Sequence, residues 1–248
     1  MTRYAPVTVR ARVGLIIPSS NRMAEPHFYA HAPDGVVTHT TRLRMTGAHA
    51  MPHAALMPQV AAAAGLLADA KCDSLAFHCT ANSMAEGLDG DRKIAATLAQ
   101  ATGRKVTTTA SATLAALRTL GARRIVLVSP YRRAAHQHEI DFLSEAGFEI
   151  VAERNLDMRA SDDYCTAPPA LWRDLLTGMR DDRADAYFAS CANICAIDVV
   201  DELERTLGRP VLTSNQVVLW QALRLAGIDD PVPGIGRLLR EPVAAPTA

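Results

Sequence analysis

AKCDSLAFHCTANS, residues 70–83, has a second version in DDRADAYFASCANI, residues 181–194. Asp73 and Asp185 stand 112 residues apart, and so do Cys79 and Cys191. Each stretch holds a short apolar run, the length of a buried parallel strand, that stops near a cysteine and continues in small residues. The correspondence extends outward. VGLIIPSSN, residues 13–21, and IVLVSPYRR, residues 125–133, are apolar runs ended by Pro18 and Pro130, again 112 apart. VTTTASATLAALRTLG, residues 106–121, matches VLTSNQVVLWQALRLAG, residues 211–227, with Arg118 and Gly121 each 106 residues before Arg224 and Gly227. A shared offset carried by cysteine, aspartate and proline marks a duplicated unit, not the general alternation of any α/β chain.

Strands are expected near 13–17, 36–41, 74–78 and 105–109, and again near 125–129, 148–153, 186–190 and 210–213. The helical stretches Met57–Ala70, Asp91–Thr102, Ala112–Leu120 and Arg133–Ala146 fall between them. Such alternation gives βαβ units and parallel sheets. The fold class is therefore α/β: two similar Rossmann-like domains, related by a pseudo-twofold axis, with the site at their interface. The last strand and helix, from Pro210 onward, are expected to return to the first half. That makes residues 1–110 plus 211–248 the first domain and residues 111–210 the second.

Composition narrows the partners. Lys+Arg and Asp+Glu balance at 26 each among 248 residues, so the chain has no basic excess for nucleic acid. The apolar run Val13–Ile17 is too short for a secretory leader or a spanning helix. A soluble, cytoplasmic protein with no membrane partner is expected. Five cysteines, an odd number without a CxxC pair, point to reduced thiols.

In an open parallel sheet, ligands bind beyond the C-terminal ends of the strands. Ser19 and Asn21 lie at such an end, as do Cys79 with Thr80, Ala81 and Asn82, Tyr131, and Cys191 with Ala192 and Asn193. If the halves pack face to face, the two thiols meet across a cleft, within roughly 10 Å, close enough to touch one small molecule. Backbone N–H groups freed by the small residues can hold an anion. They are also expected to draw the thiols below the ordinary value of about 8.5. A thiolate is both a nucleophile and a base. The pair can move a proton on and off carbon, or one thiol can add to a double bond while the other handles the proton.

Cys72, Cys165 and Cys195 have no partner in the repeat and read as structural or incidental. His27/His31 and His49/His53 have a helical metal-pair spacing, but Pro26, Pro33 and Pro52 interrupt it and nothing completes a ligand set, so no metal is expected. Gly234-Ile235-Gly236 lacks the third glycine of a dinucleotide loop, and Trp172 and Trp220 read as core. No cofactor is expected.

These residues resemble the aspartate/glutamate racemase superfamily, and more closely its branch of maleate cis–trans isomerases and arylmalonate decarboxylases. GLIIPSSN (14–21), RLRM (42–45), TLAALRTLGARRIVLVSPY (113–131), both cysteine motifs and PGIGRLL (233–239) carry the resemblance along nearly the whole chain. It implies a cofactor-independent isomerase acting on a small carboxylate or dicarboxylate. By resemblance, Cys79 is the expected nucleophile and Cys191 the acid or base. Asn21 and Tyr131 are the expected ligands of substrate carboxylates. Arg22–Pro26, FHCTANS and ASCANIC depart from the isomerase pattern. Amino-acid racemisation with the same thiol pair therefore stays open, as do decarboxylation of a malonate-type acid and non-catalytic binding of a small carboxylate. A homo-oligomer stays open as well.

Overall fold

The computed structural model describes residues 8–45 and 51–240. The first half runs β1 (Ala11–Pro18), α1 (Ala24–His31), β2 (Val36–Leu43), α2 (His53–Asp69), β3 (Ser74–Phe77), α3 (Thr80–Met84), α4 (Gly87–Thr102), β4 (Lys105–Thr108) and α5 (Thr109–Thr119). The second runs β5 (Arg124–Ser129), α6 (Arg133–Glu145), β6 (Glu149–Asn155), α7 (Ser161–Thr166), α8 (Pro169–Gly178), β7 (Ala186–Ala189), α9 (Val200–Leu207), β8 (Val211–Thr213), α10 (Ser214–Leu225) and α11 (Arg237–Arg240). All strand pairings are parallel, in the orders β2-β1-β3-β4 and β6-β5-β7-β8. Among the described residues, no helix is long and apolar enough to cross a membrane.

The two sheets repeat each other down to single contacts. The Asp73 carboxylate accepts the Arg12 N–H at 2.8 Å, and the Asp185 carboxylate accepts the Arg124 N–H at 2.9 Å. Each aspartate clasps the start of its central strand. At the other end the His78 N–H donates to the Ile16 carbonyl and the Ser190 N–H to the Val128 carbonyl, both at 2.8 Å. The residue before each cysteine is thus tied to the equivalent strand.

One expectation needs correcting. The strand after Pro210 does not return to the first sheet: β8 pairs with β7, with Phe188 opposite Leu212. An edge strand pairs with the edge nearest to it, and a short loop from α9 reaches only β7. It is α10 that crosses over, packing on α5, β3 and β4. The Ser74 hydroxyl donates to the Ala222 carbonyl of α10 at 2.8 Å. The result is one continuous core holding Leu15 and Ile17 of the first sheet, Leu127 and Phe188 of the second, and Leu117, Leu219 and Leu223 of the crossing helices. Trp172 and Trp220 are fully buried core residues, as read from the sequence.

A buried polar relay anchors α10 beneath the first half. The Asn215 Oδ1 lies 2.7 Å from His78 Nε2, and its Nδ2 lies 2.6 Å from His27 Nδ1. An amide nitrogen only donates and an amide oxygen only accepts, so His27 Nδ1 is an acceptor and His78 Nε2 carries a proton. His78 Nδ1 then accepts from the Thr109 hydroxyl at 3.0 Å. Both rings are neutral, and burial above all holds each pKa at about 4. Unfolded histidine titrates near about 6.5, so between that pH and about 4 the unfolded chain binds the extra protons. Stability is complete above the unfolded value and falls as the pH drops, by up to about 1.4 kcal/mol per pH unit for each ring. Urea midpoints should decline from pH 7 to pH 5, and His27→Gln should flatten the decline. A midpoint constant across this window contradicts the neutral pair.

Candidate active site

Cys79 and Cys191 line one cavity at the C-terminal edges of the two sheets. Asn21, Thr80, Ala81, Asn82, Tyr131, Ala192 and Asn193 line it with them, as read from the sequence. Ser19 does not. It is tied to Met45, accepting the Met45 N–H at 3.1 Å, and Ser20 takes the place on the wall. The turn after Pro18 sends neighbouring side chains in different directions. Pro18, Met45, Ser161 and Tyr164 complete the lining. No Lys, Arg or His is among these residues.

Cys79 sits at the entry to α3, in extended conformation. The Asn82 Nδ2 donates to its sulfur at 3.3 Å, and the Asn82 Oδ1 accepts the Met51 N–H at 2.8 Å. That second bond fixes which end of the amide faces the thiol.

Cys191 has φ +140°, in a region side-chain-bearing residues rarely adopt. Such strain persists only where the surroundings over-determine it. Here the Cys191 N–H donates to the Ser214 hydroxyl at 3.0 Å, and the preceding Ser190 hydroxyl donates to the buried Glu139 carboxylate. The Asn193 N–H donates to the Cys191 sulfur at 3.3 Å, and Tyr131, on the same cavity wall, acts with it to lower the thiol pKa. Beside Glu139 on α6, His136 bridges the Ser129 hydroxyl at 2.7 Å and the Glu153 carboxylate at 3.0 Å.

Ser214 couples the halves. Its oxygen also accepts from the Thr80 hydroxyl at 2.9 Å, so one atom serves the residue after Cys79 and the backbone of Cys191. Ser214→Ala should strand two buried donors, each costing about 1–3 kcal/mol. We expect a lowered urea midpoint, and loss of less than about 1 kcal/mol would exclude this coupling role.

The mouth is stitched by asparagines. The Asn21 Nδ2 donates to the Ala192 carbonyl at 2.9 Å, while its Oδ1 accepts the N–H groups of Met23 and Ala24. Asn193 accepts the Arg22 N–H at 2.8 Å and donates to the Ser161 carbonyl at 3.0 Å. Arg22 pairs with Asp162 over the same seam. These side chains hold the halves in register before any ligand contact.

The thiols are not shifted in the expected direction. Burial pushes Cys79 up, against the hydrogen bonds from Asn82. It pushes Cys191 up to about 12, with Glu139 adding to the effect against Tyr131 and Asn193. Desolvation of a charged sulfur outweighs a few N–H dipoles. Tyr131 is driven well above the phenol range for the same reason. Of the histidines considered for a metal, His27 is engaged by Asn215, and His53 approaches the Asn82 carbonyl and Glu86. His49 lies outside the described residues. Ser161 and Tyr164 could not be found from the repeat, because none of the matched stretches of sequence includes the segment that carries them.

Two matching parallel sheets, each ending in a thiol over a shared cavity, define a protein of the aspartate/glutamate racemase-like class. Residues 13–239 match the arylmalonate decarboxylase family. Maleate isomerase of Pseudomonas putida is 30% identical over 241 residues, covering 92% of this chain and 96% of that protein. The solved structure of a Pseudomonas putida maleate isomerase with maleate superposes with a TM-score of 0.88 at 26% identity, over 93% of this chain and 97% of that one. A Nocardia farcinica maleate cis–trans isomerase mutant with a covalently bound succinylcysteine intermediate gives 0.86 at 27% identity, over 93% and 98%. The chain belongs to the arylmalonate decarboxylase family, on the branch that includes the maleate isomerases.

Proposed function

We propose that this protein is a cofactor-independent cis–trans isomerase of a small dicarboxylate, with maleate as the first substrate to test. The observation that carries the reading is the pair of thiols on one small cavity. The Nocardia farcinica relative, caught with a succinylcysteine, supports the same chemistry.

The site reaches its reactive state by losing one proton. Cys79 loses it, because the Asn82 side-chain amide donates to its sulfur and Asn82 acts to lower its pKa. Cys191, with Glu139 beneath it, keeps its proton. The Cys79 sulfur adds to one alkene carbon, the π bond breaks, and the Cys191 proton goes to the other carbon. This leaves a succinyl thioether and a Cys191 thiolate. Rotation about the new single bond brings the carboxylates trans. Cys191 takes the proton back, the C–S bond breaks, and fumarate leaves with both sulfurs as they began. The N–H groups of Thr80, Ala81 and Ala192 and the remaining amide proton of Asn21 meet the carboxylates, since no cationic side chain is among the described residues of the wall. Tyr131 steadies the Cys191 sulfur.

Incubation of the reduced protein with maleate, followed by proton NMR, should show fumarate. Carbon dioxide released from an arylmalonate, with no fumarate from maleate, would assign the chain to decarboxylation instead.

A further inference from the structure

Tyr164 is carried into the site by α7 and is 5% exposed. Its ring meets that of Tyr131 edge-on, with centroids 5.7 Å apart and planes at 79°. Both rings line the cavity. Around them the Ser20 hydroxyl donates to the Met45 carbonyl at 2.9 Å, the Ser161 hydroxyl donates to the Ser20 hydroxyl at 3.0 Å, and Thr80, Asn21, Asn82 and Asn193 are held by the bonds to Ser214, Ala192, Cys79 and Ser161. The Tyr164 hydroxyl is buried and has no hydrogen-bond partner among the described residues.

An unpaired buried hydroxyl lowers stability, and phenylalanine would fill the same space without that loss. A polar group kept at such a cost in the wall of a binding cavity is accounted for by a ligand. We propose that the Tyr164 hydroxyl is a substrate-binding and specificity group that donates a hydrogen bond to an acceptor oxygen of the bound carboxylate on the Cys191 side of the cavity. The inference rests on the carboxylate reading given above and extends it to a residue outside the repeat.

The placement fits a donor. Burial first, and then the charge of Cys191, push the Tyr164 phenol up to about 12, so it keeps its proton throughout the neutral range. Its nearness to Cys191 puts it on the face where the proton is exchanged. A hydroxyl waiting for an acceptor discriminates more sharply than an apolar wall. A ligand with an oxygen there relieves it, and a ligand without one leaves it unpaired.

Tyr164→Phe tests this in two ways. In the free protein, melting should rise by roughly 2–6 °C, because an unsatisfied group is removed. With maleate, KM should rise about 10–100-fold while kcat stays within about threefold, the pattern of a lost uniform binding contact. A residue that only packs would move neither in these directions. An unchanged KM in an active enzyme overturns the inference and leaves the isomerase reading intact. A wild type inert toward maleate overturns the isomerase reading. The melting comparison, which needs no substrate, then decides on the hydroxyl. A higher melting temperature supports an unsatisfied group, and an unchanged or lower one overturns the inference.

Discussion

Cys79→Ser should leave no measurable isomerisation of maleate and no covalent adduct by mass spectrometry, a loss of at least about 10⁴-fold. Serine preserves the shape of the site and can still accept from Asn82, so the fold should be intact. What disappears is the nucleophile: a hydroxyl is hardly ionised near neutral pH, whereas a thiol, even one raised by burial, is measurably thiolate. Because burial raises Cys79, the wild-type rate should climb with pH, by up to about tenfold per unit below the thiol pKa. A rate flat from pH 6 to pH 9 would contradict a Cys79 that must ionise. Full activity in the serine variant, with an adduct on Cys191, would reverse the two roles.

Cys191→Ser should separate bond making from proton transfer. The variant retains Cys79 and its Asn82 donor, so a covalent adduct should still form on exposure to maleate. Turnover should fall by about 10²–10⁴-fold, the usual contribution of a positioned acid or base. Protonation would then depend on water entering a cavity shielded by Tyr131 and Tyr164. Intact mass measured at intervals after mixing, beside fumarate formation in the same sample, distinguishes slow capture from slow release. An adduct-free variant would mean that Cys191 is needed to activate Cys79, and the division of labour argued here would not hold.

Much of this could be read from the chain. All eight strands lie where short apolar or β-branched runs place them: the inner strands β1, β3, β5 and β7 are covered on both faces, and the half-covered edge strands β2 and β6 still carry apolar and β-branched residues near their starts. Asp73 and Asp185, aligned by spacing alone, make the same clasp on Arg12 and Arg124. The cavity wall around both cysteines was legible as well, since residues just past a parallel strand collect at one sheet edge. The placement of β8 was not. The repeat pairs Val211–Thr213 with Lys105–Thr108, and β8 does take the matching edge of its own sheet, while the crossover begins only at the capped helix that follows.

The thiol environment shows the division most clearly. The presence of two equivalent sulfurs, their strand-end positions and the small residues after them were determined by sequence, because each depends on neighbours a few residues away. Their proton affinities and their inequality were decided by tertiary structure. Burial arises only when the two halves close, Glu139 reaches Ser190 from 51 positions away, and Tyr164 enters from a segment outside the matched stretches of sequence. Desolvation and through-space charge act over distances in the fold, and spacing along the chain carries no record of them.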